Sequence, residues 1–326
     1  MTAPVVDVGV VTWNSAATVV GALRATLDSD QGAALRVLVW DNGSIDGTVA
    51  AVTASVPEAE VHTEGRNLGF AGGVNRLVRM SDAPWFLALN PDAWPEPGAV
   101  GALVRTGERL AGTAAVAPRL ERPDGTLEHS THPFPSLPLA LLHAAGGQWW
   151  LPRRTRDRLF LERAWEHDRG RSVDWAVFAA LLLRRTALDG VGLLDEGFFM
   201  YAEDLEWCWR ARRQGWDIRF EPAARFRHVG NVSGAQAYGE DRVYVETASA
   251  YRFHRMAHGP AATLGYRLAS AVASTELWAL CRLRGDHAGA AHWSAQARAH
   301  LGSRPRSDGA GGLSPGPVGA RLAEPG

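Results

Sequence analysis

Val5-Val6-Asp7-Val8-Gly9-Val10-Val11-Thr12-Trp13-Asn14-Ser15 decides the fold. Its run to Thr12 is apolar and β-branched, the signature of a buried strand. The polar triplet after it ends the strand. Helical spacing then runs from Ala16 to Leu27. Leu35–Trp40 repeats the strand pattern, and a turn of Asn, Gly, Ser and Asp leads to a helix at Asp46–Ser55, which Asp46 or Ser44 can cap. A short strand at Ala59–His62, a Gly-rich loop, a helix near Ala71–Arg79 and an apolar strand at Trp85–Leu89 complete the series. This alternation implies an α/β fold with a mostly parallel central sheet and helices on both faces. In such sheets ligands bind beyond the carboxyl ends of the strands.

Polar residues stand at each of those ends: Trp13-Asn14-Ser15, Asp41-Asn42-Gly43-Ser44, Gly65-Arg66-Asn67-Leu68-Gly69 and Asn90-Pro91-Asp92. Turn chemistry explains any one of them alone. Together, at one sheet edge, they point to a ligand site. Asp92 follows a buried strand, and a carboxylate there suits a hard divalent cation that keeps waters and bridges phosphate oxygens. It is equally a cap for a following helix. His228 closes a late strand, where a structural hydrogen bond competes with metal or phosphate contact. Glu203 and Asp204 open an amphipathic helix. The helix dipole favours acids there, and a carboxylate at that end can also act as general base.

Composition narrows the function. Every basic side chain other than His is Arg; there is no Lys. A P-loop lysine and a Schiff-base lysine are therefore excluded. A formal net charge of −1 gives no whole-chain reason to expect nucleic acid. Cys208 and Cys281 are far apart in sequence and support neither a disulfide framework nor a zinc knuckle. Met1-Thr2-Ala3-Pro4 lacks a basic, apolar signal region, and no apolar run approaches a membrane span. A cytoplasmic location is expected.

From Arg119 to Ser172 the order breaks down into an inserted loop region with a short helix. Val173–Arg185 is strand-like, Phe199–Gln214 reads as a helix ended by Gly215, and short strands follow near Asp217–Phe220 and Arg225–Val229. Residues from about Val243 to Leu301 look helical, and the tail 302–326 has a disordered composition.

Val10-Val11-Thr12-Trp13-Asn14-Ser15, Trp40 to Thr48, Gly65 to Asn75, Leu89-Asn90-Pro91-Asp92 and Gly192 to Trp207 together resemble family 2 glycosyltransferases, in particular the rhamnosyltransferase-like branch. The resemblance runs in order from about Val6 to Ser233. It implies a GT-A fold: a catalytic domain at 1–235, with a nucleotide-binding part at 1–118 and an acceptor-binding part at 119–235, then a helical segment at 236–301. It also implies an inverting transfer of a sugar, rhamnose from dTDP-rhamnose being the family-level guess, from a nucleotide diphosphate to an acceptor hydroxyl. The acceptor is a glycan, lipid-linked or small-molecule species.

The same resemblance assigns Asp41, Arg66 and Asn67 to the base and ribose, with Thr12 and Asn14 lining that pocket; Asn75 and Asn90 lie within its substrate-binding motifs. It makes Asp92 and His228 ligands of Mg2+ or Mn2+, Asp204 the catalytic base, Glu203 its support and Trp175 a wall of the sugar site. One departure is Val177-Phe178-Ala179, where the family has a small Ser-Gly-Ala turn; a bulky Phe178 is expected to narrow the sugar pocket.

Two rivals remain in view. A non-catalytic nucleotide-sugar-binding protein is opposed by the intact Glu203, Asp204 and Asp92. A nucleotidyltransferase is opposed by the lack of a Gly-rich Arg/Lys loop after the first strand. Finally, Thr263–Arg284 spaces leucines helically among arginines. That suits either a helix packed on the catalytic domain or a peripheral contact with an anionic membrane.

Overall fold

The computed structural model describes residues 5–28, 31–159, 165, 167–230 and 241–302. The expected disordered tail lies almost wholly outside them. The first half follows the sequence pattern closely: β1 (Val5–Thr12), α1 (Val19–Leu27), β2 (Ala34–Asp41), α2 (Thr48–Ser55), β3 (Glu60–Thr63), α3 (Gly69–Met80) and β4 (Trp85–Leu89). Then come β5 (Ala93–Pro95), α4 (Ala99–Arg109), β6 (Thr113–Glu121), β7 (Leu127–Glu128) and β8 (Thr131–His132). Among the described residues the irregular region holds α5 (Leu137–Ala144), α6 (Gly147–Trp150) and α7 (Arg153–Leu159). After these come β9 (Arg171–Val173), β10 (Trp175–Ala176), β11 (Ala180–Arg184), α8 (Arg185–Val191), α9 (Glu203–Arg213) and β12 (Asp217–His228). The chain ends in α10 (Arg242–Leu283) and α11 (His287–Leu301).

The main sheet has the order β3-β2-β1-β4-β11-β6-β12-β5, with β7 on β6 and β9 on β12. Its first part, β3-β2-β1-β4, is parallel throughout. β11 then enters antiparallel to both β4 and β6. The expected division at 118/119 falls inside β6, so both parts share one sheet. Successive side chains of a strand point to opposite faces. Accordingly Val6, Val8, Val10, Leu87 and Leu89 pack with Leu23, Val52 and Leu103 of α1, α2 and α4. Phe86 and Ala88 point the other way, to Val74 and Leu77 of α3 and Trp207 and Ala211 of α9.

Three sequence readings change. The two late strands form one, β12, whose register shifts between Glu221 and Arg225. Val173–Arg185 is interrupted by the turn 177–179, with β10 pairing β8 in a small separate sheet. The helix read from Phe199 begins at Glu203, because Tyr201 and Ala202 have φ of 70° and 67° and cannot be helical.

The C-terminal segment is helical, as its spacing suggests. α10 is broken at Gly259, where φ is 82°, immediately before Pro260. Pro cannot continue the ladder of hydrogen bonds. The first part of α10 packs on the catalytic half: Phe253 joins Phe198 and Leu205 in a small core. Arg252 donates to the Gly197 carbonyl, and Ser249 to that of Met200.

Candidate active site

The strand order places β1 between β2 and β4, which makes the crevice after β1 and β4 the switch point of a parallel sheet. Three loops meet there. Thr12 Oγ1 donates to Asp41 Oδ1 at 2.8 Å. Asp41 also accepts from the Gly43 amide at 3.1 Å, the Ser44 amide at 2.8 Å and the Ser44 hydroxyl. An ionised carboxylate offers about four lone-pair sites, and the chain itself fills them. Asp41 thus folds the nucleotide-side loop, and contact with a base requires exchange of one of these donors.

Asn14, held at φ 50°, accepts from the Ile45 amide through Oδ1 at 2.9 Å. Asn42 bridges to the third loop: its side chain donates to the Gly69 carbonyl and accepts from the Leu68 amide. Asn67 accepts from the Gly69 amide at 2.8 Å. Arg66 is exposed and ion-paired with Glu64 at 3.0 Å. Asn75 faces elsewhere: buried in α3, it binds the Leu194 amide and carbonyl and Glu196, so its amide clamps the 194–196 loop.

Antiparallel pairing of β5 with the end of β12 sets His228 opposite Ala93, hence beside Asp92. Both side chains are buried. His228 Nε2 lies 3.3 Å from Asp92 Oδ1. His228 Nδ1 donates to Glu128 Oε2 at 3.0 Å. Burial by itself depresses the imidazole pKa, but the two carboxylates outweigh it and raise it to about 9. Sequence reasoning missed Glu128, which comes from the two-residue strand β7 and carries no local signature.

The Nε2–Oδ1 contact satisfies an ion-pair distance but not hydrogen-bond geometry, so Nε2 is a buried polar atom without a hydrogen-bond partner among the described residues. An orphaned imidazole nitrogen next to a carboxylate, with the other nitrogen held by an acid, is the arrangement of a metal-binding His and its orienting partner. Among the described residues no group of three or more His, Cys, Asp or Glu is placed to hold a metal. The chain therefore offers a pair, Asp92 and His228. A pair suits Mg2+ or Mn2+ that shares its shell with diphosphate oxygens and water.

The acidic pair at the start of α9 lies next door. Asp204 is half-buried, accepts from its neighbour's amide, Leu205, at 2.8 Å, and faces the backbone of Phe178 and the imidazole of His132. Desolvation dominates these and lifts its pKa to about 6. Glu203 is buried, with Oε2 unpartnered among the described residues; desolvation and the adjacent Asp204 charge hold it well above the ordinary carboxylate range. Asn90 donates its amide to the Ala179 carbonyl at 2.8 Å. The turn 177–179 is thus the joint between the Asp92 loop and Asp204: the Phe178 backbone faces Asp204 and the Ala179 carbonyl holds the Asn90 backbone.

Phe178 does not narrow a pocket. Its ring is buried, edge-on to Phe70 and Trp207 in the core beneath the turn. Only its backbone reaches the site. Trp175 stacks on His132, with ring centroids 4.6 Å apart, and donates to the Pro133 carbonyl.

The profile of "Glycosyl transferase family 2" matches residues 7–173. The chain belongs to glycosyl transferase family 2. A Mycobacterium tuberculosis N-acetylglucosaminyl-diphospho-decaprenol L-rhamnosyltransferase is 34% identical over 203 residues, covering 59% of this chain and 66% of that protein's length. A low-salt glycan biosynthesis hexosyltransferase of Haloferax volcanii is 27% identical over 169 residues, 47% of this chain and 46% of its own. In fold, this family 2 chain resembles a Pyrobaculum calidifontis mannosyltransferase solved with GDP-Man and Mn2+, at a TM-score of 0.55 and 18% identity, over 91% of this chain and 86% of that one.

Proposed function

We propose that this family 2 protein is a metal-dependent, inverting glycosyltransferase that moves a sugar from a nucleotide diphosphate to an acceptor hydroxyl. One observation carries the reading: Asn90 of the Asp92 loop and the base Asp204 meet on consecutive residues, Ala179 and Phe178. A leaving-group site and a proton acceptor therefore face one crevice at the switch point of the sheet.

Thr12, Asn14, Arg66 and Asn67 line the nucleotide side, with Asp41 holding their loop together. Asp92 and His228 would hold the cation, which would supply positive charge against the diphosphate. Asp204 takes the acceptor proton as that oxygen forms its bond to the anomeric carbon. The bond from that carbon to the diphosphate oxygen breaks, and its electrons leave on the nucleotide diphosphate from the opposite face. Configuration inverts and no covalent intermediate forms. Glu203, whose carboxyl is raised well above the ordinary range by burial and the neighbouring Asp204 charge, supports the base.

The mycobacterial relative's name supports a rhamnosyl donor and a lipid-linked acceptor in cell-envelope glycan synthesis; a small, diffusible acceptor is the second reading. Exposed apolar side chains favour the lipid-linked one. Leu264, Leu268 and Val272 lie on one stripe of α10, turned away from its packed face, and Trp149 and Trp150 of α6 are exposed just before the arginines of α7. Among the described residues no helix is long and apolar enough to cross a membrane. Such a surface suits reversible docking on an anionic bilayer. A screen of nucleotide sugars for donor hydrolysis and transfer, with Mg2+ or Mn2+, tests the function; a wild-type protein that turns over no donor would sink it.

A further inference from the structure

Behind Trp175 lies a cavity of about 270 Å³ between α5, α10 and α11. Its wall nearest the active site is the stacked pair His132 and Trp175. His132 is close enough to Asp204 to act on its charge, and Trp175 packs on the small core that contains Leu205, the residue after the base. The pair His132 and Trp175 thus stands between the cavity and Asp204, which does not itself line it.

Its lining is chemically selective. Three histidines, three serines and three aromatic rings face it, the remainder being Pro, Leu and Ala; neither an acid nor an arginine lines it. A phosphate would find no fixed counter-charge there. His300, desolvated and near Arg267, has its pKa lowered to about 4 and stays neutral at physiological pH. A polyprenyl tail would leave the serine and imidazole groups without partners, which is costly when buried. A sugar ring meets both demands: its C–H face packs on Trp293 or Tyr266, while its hydroxyls reach Ser270 and Ser274. The volume, just below the range of about 300–1,000 Å³ typical of ligand sites, suits a single ring.

We propose that this cavity is a saccharide subsite that holds a neutral sugar unit of the acceptor behind the His132–Trp175 pair. The proposal rests on the glycosyltransferase reading and extends it to the C-terminal helices, which lie outside the matched family profile.

The test uses the full chain and two variants, Trp293→Ala, which removes a stacking plane, and Ser270→Phe, which fills the space. Saturation-transfer NMR is recorded with methyl N-acetylglucosaminide and methyl mannoside, with inorganic phosphate and a short prenol as competitors. At least one glycoside should give signal with the wild type, and both variants should lose it. Neither competitor should displace it. In transfer assays the acceptor KM should rise at least tenfold in the variants, with the donor KM as internal reference. Signal that survives in both variants, displacement by phosphate or prenol, or no signal from either glycoside overturns the proposal. Should Ser270→Phe fail to fold, Trp293→Ala decides alone. Absence of all donor turnover in the wild type would instead count against the glycosyltransferase reading, which the binding experiment does not need.

Discussion

Glu128 Oε2 sits 3.0 Å from Nδ1 of His228, a residue one hundred positions later in the chain. With its pKa raised to about 9 the imidazole carries a proton on both nitrogens; the bond to Glu128 holds the one on Nδ1 and turns Nε2, which a cation would have to deprotonate, toward Asp92. Orienting carboxylates of this kind typically contribute about 10–100-fold to metal affinity. Glu128→Gln should therefore weaken Mn2+ binding by about that factor, read by calorimetry with nucleotide diphosphate present. Unchanged affinity would mean that Glu128 only fills space.

On the proposed function Asp92 and His228 would hold the cation. With these two protein ligands among the described residues, the cation should bind strongly only when diphosphate oxygens complete its shell. In a thermal-shift assay Mn2+ should stabilise the wild type with nucleotide diphosphate and barely without it. Asp92→Ala should lose both that shift and transfer while keeping its fold. If a chelator leaves wild-type transfer untouched, the cation has no role.

Asp204 must be ionised to accept a proton. Because its pKa is raised to about 6, kcat/KM should fall as pH drops through that value and level off above it. Asp204→Asn should lower kcat by ~10²–10⁴-fold and abolish this acid limb, with little effect on the donor KM. A flat profile from about pH 5 to 8 would move the base elsewhere.

Gly9 tests the packing of β1 on β4. A Cβ at this position would lie 2.2 Å from the Phe86 ring, which is wholly buried. Overpacking of this kind costs about 1–3 kcal/mol. Gly9→Ala should lower unfolding stability by that amount in a denaturant titration, unless Phe86 finds another rotamer; Gly9→Ala with Phe86→Leu should then recover most of the loss.

The membrane reading depends on which leucines are outside. Leu277 lines the cavity and is half-buried, as is Leu280, whereas Leu264 and Leu268 are exposed. Leu264→Ser with Leu268→Ser should abolish flotation with anionic liposomes at low salt without shifting the melting temperature. Wild-type protein that stays with the soluble fraction under those conditions would favour a diffusible acceptor.

The sequence by itself determined the family and the parallel first part of the sheet. β4 is a continuous apolar run and β1 is one apart from Asp7 and Gly9, so their limits, with Thr12 closing β1 and Asn90 and Asp92 just beyond β4, follow from the residue pattern alone. The family motifs likewise marked Asp204 and His228. Tertiary structure decided what depends on partners distant in the chain. Asn75 occupies a family motif, yet its amide is consumed by Leu194 and Glu196, more than a hundred residues later. Phe178 looked like an obstruction, but the direction of its ring is set by Phe70 and Trp207, which no local pattern reveals. Glu128 belongs to a strand too short to have a period. α10 shows leucines on several sides, and only packing against α5, α11 and the Phe198 core selects which are buried. Local spacing encodes which way a strand or helix can face; the choice among those faces is made by contacts between segments that meet only in the folded chain.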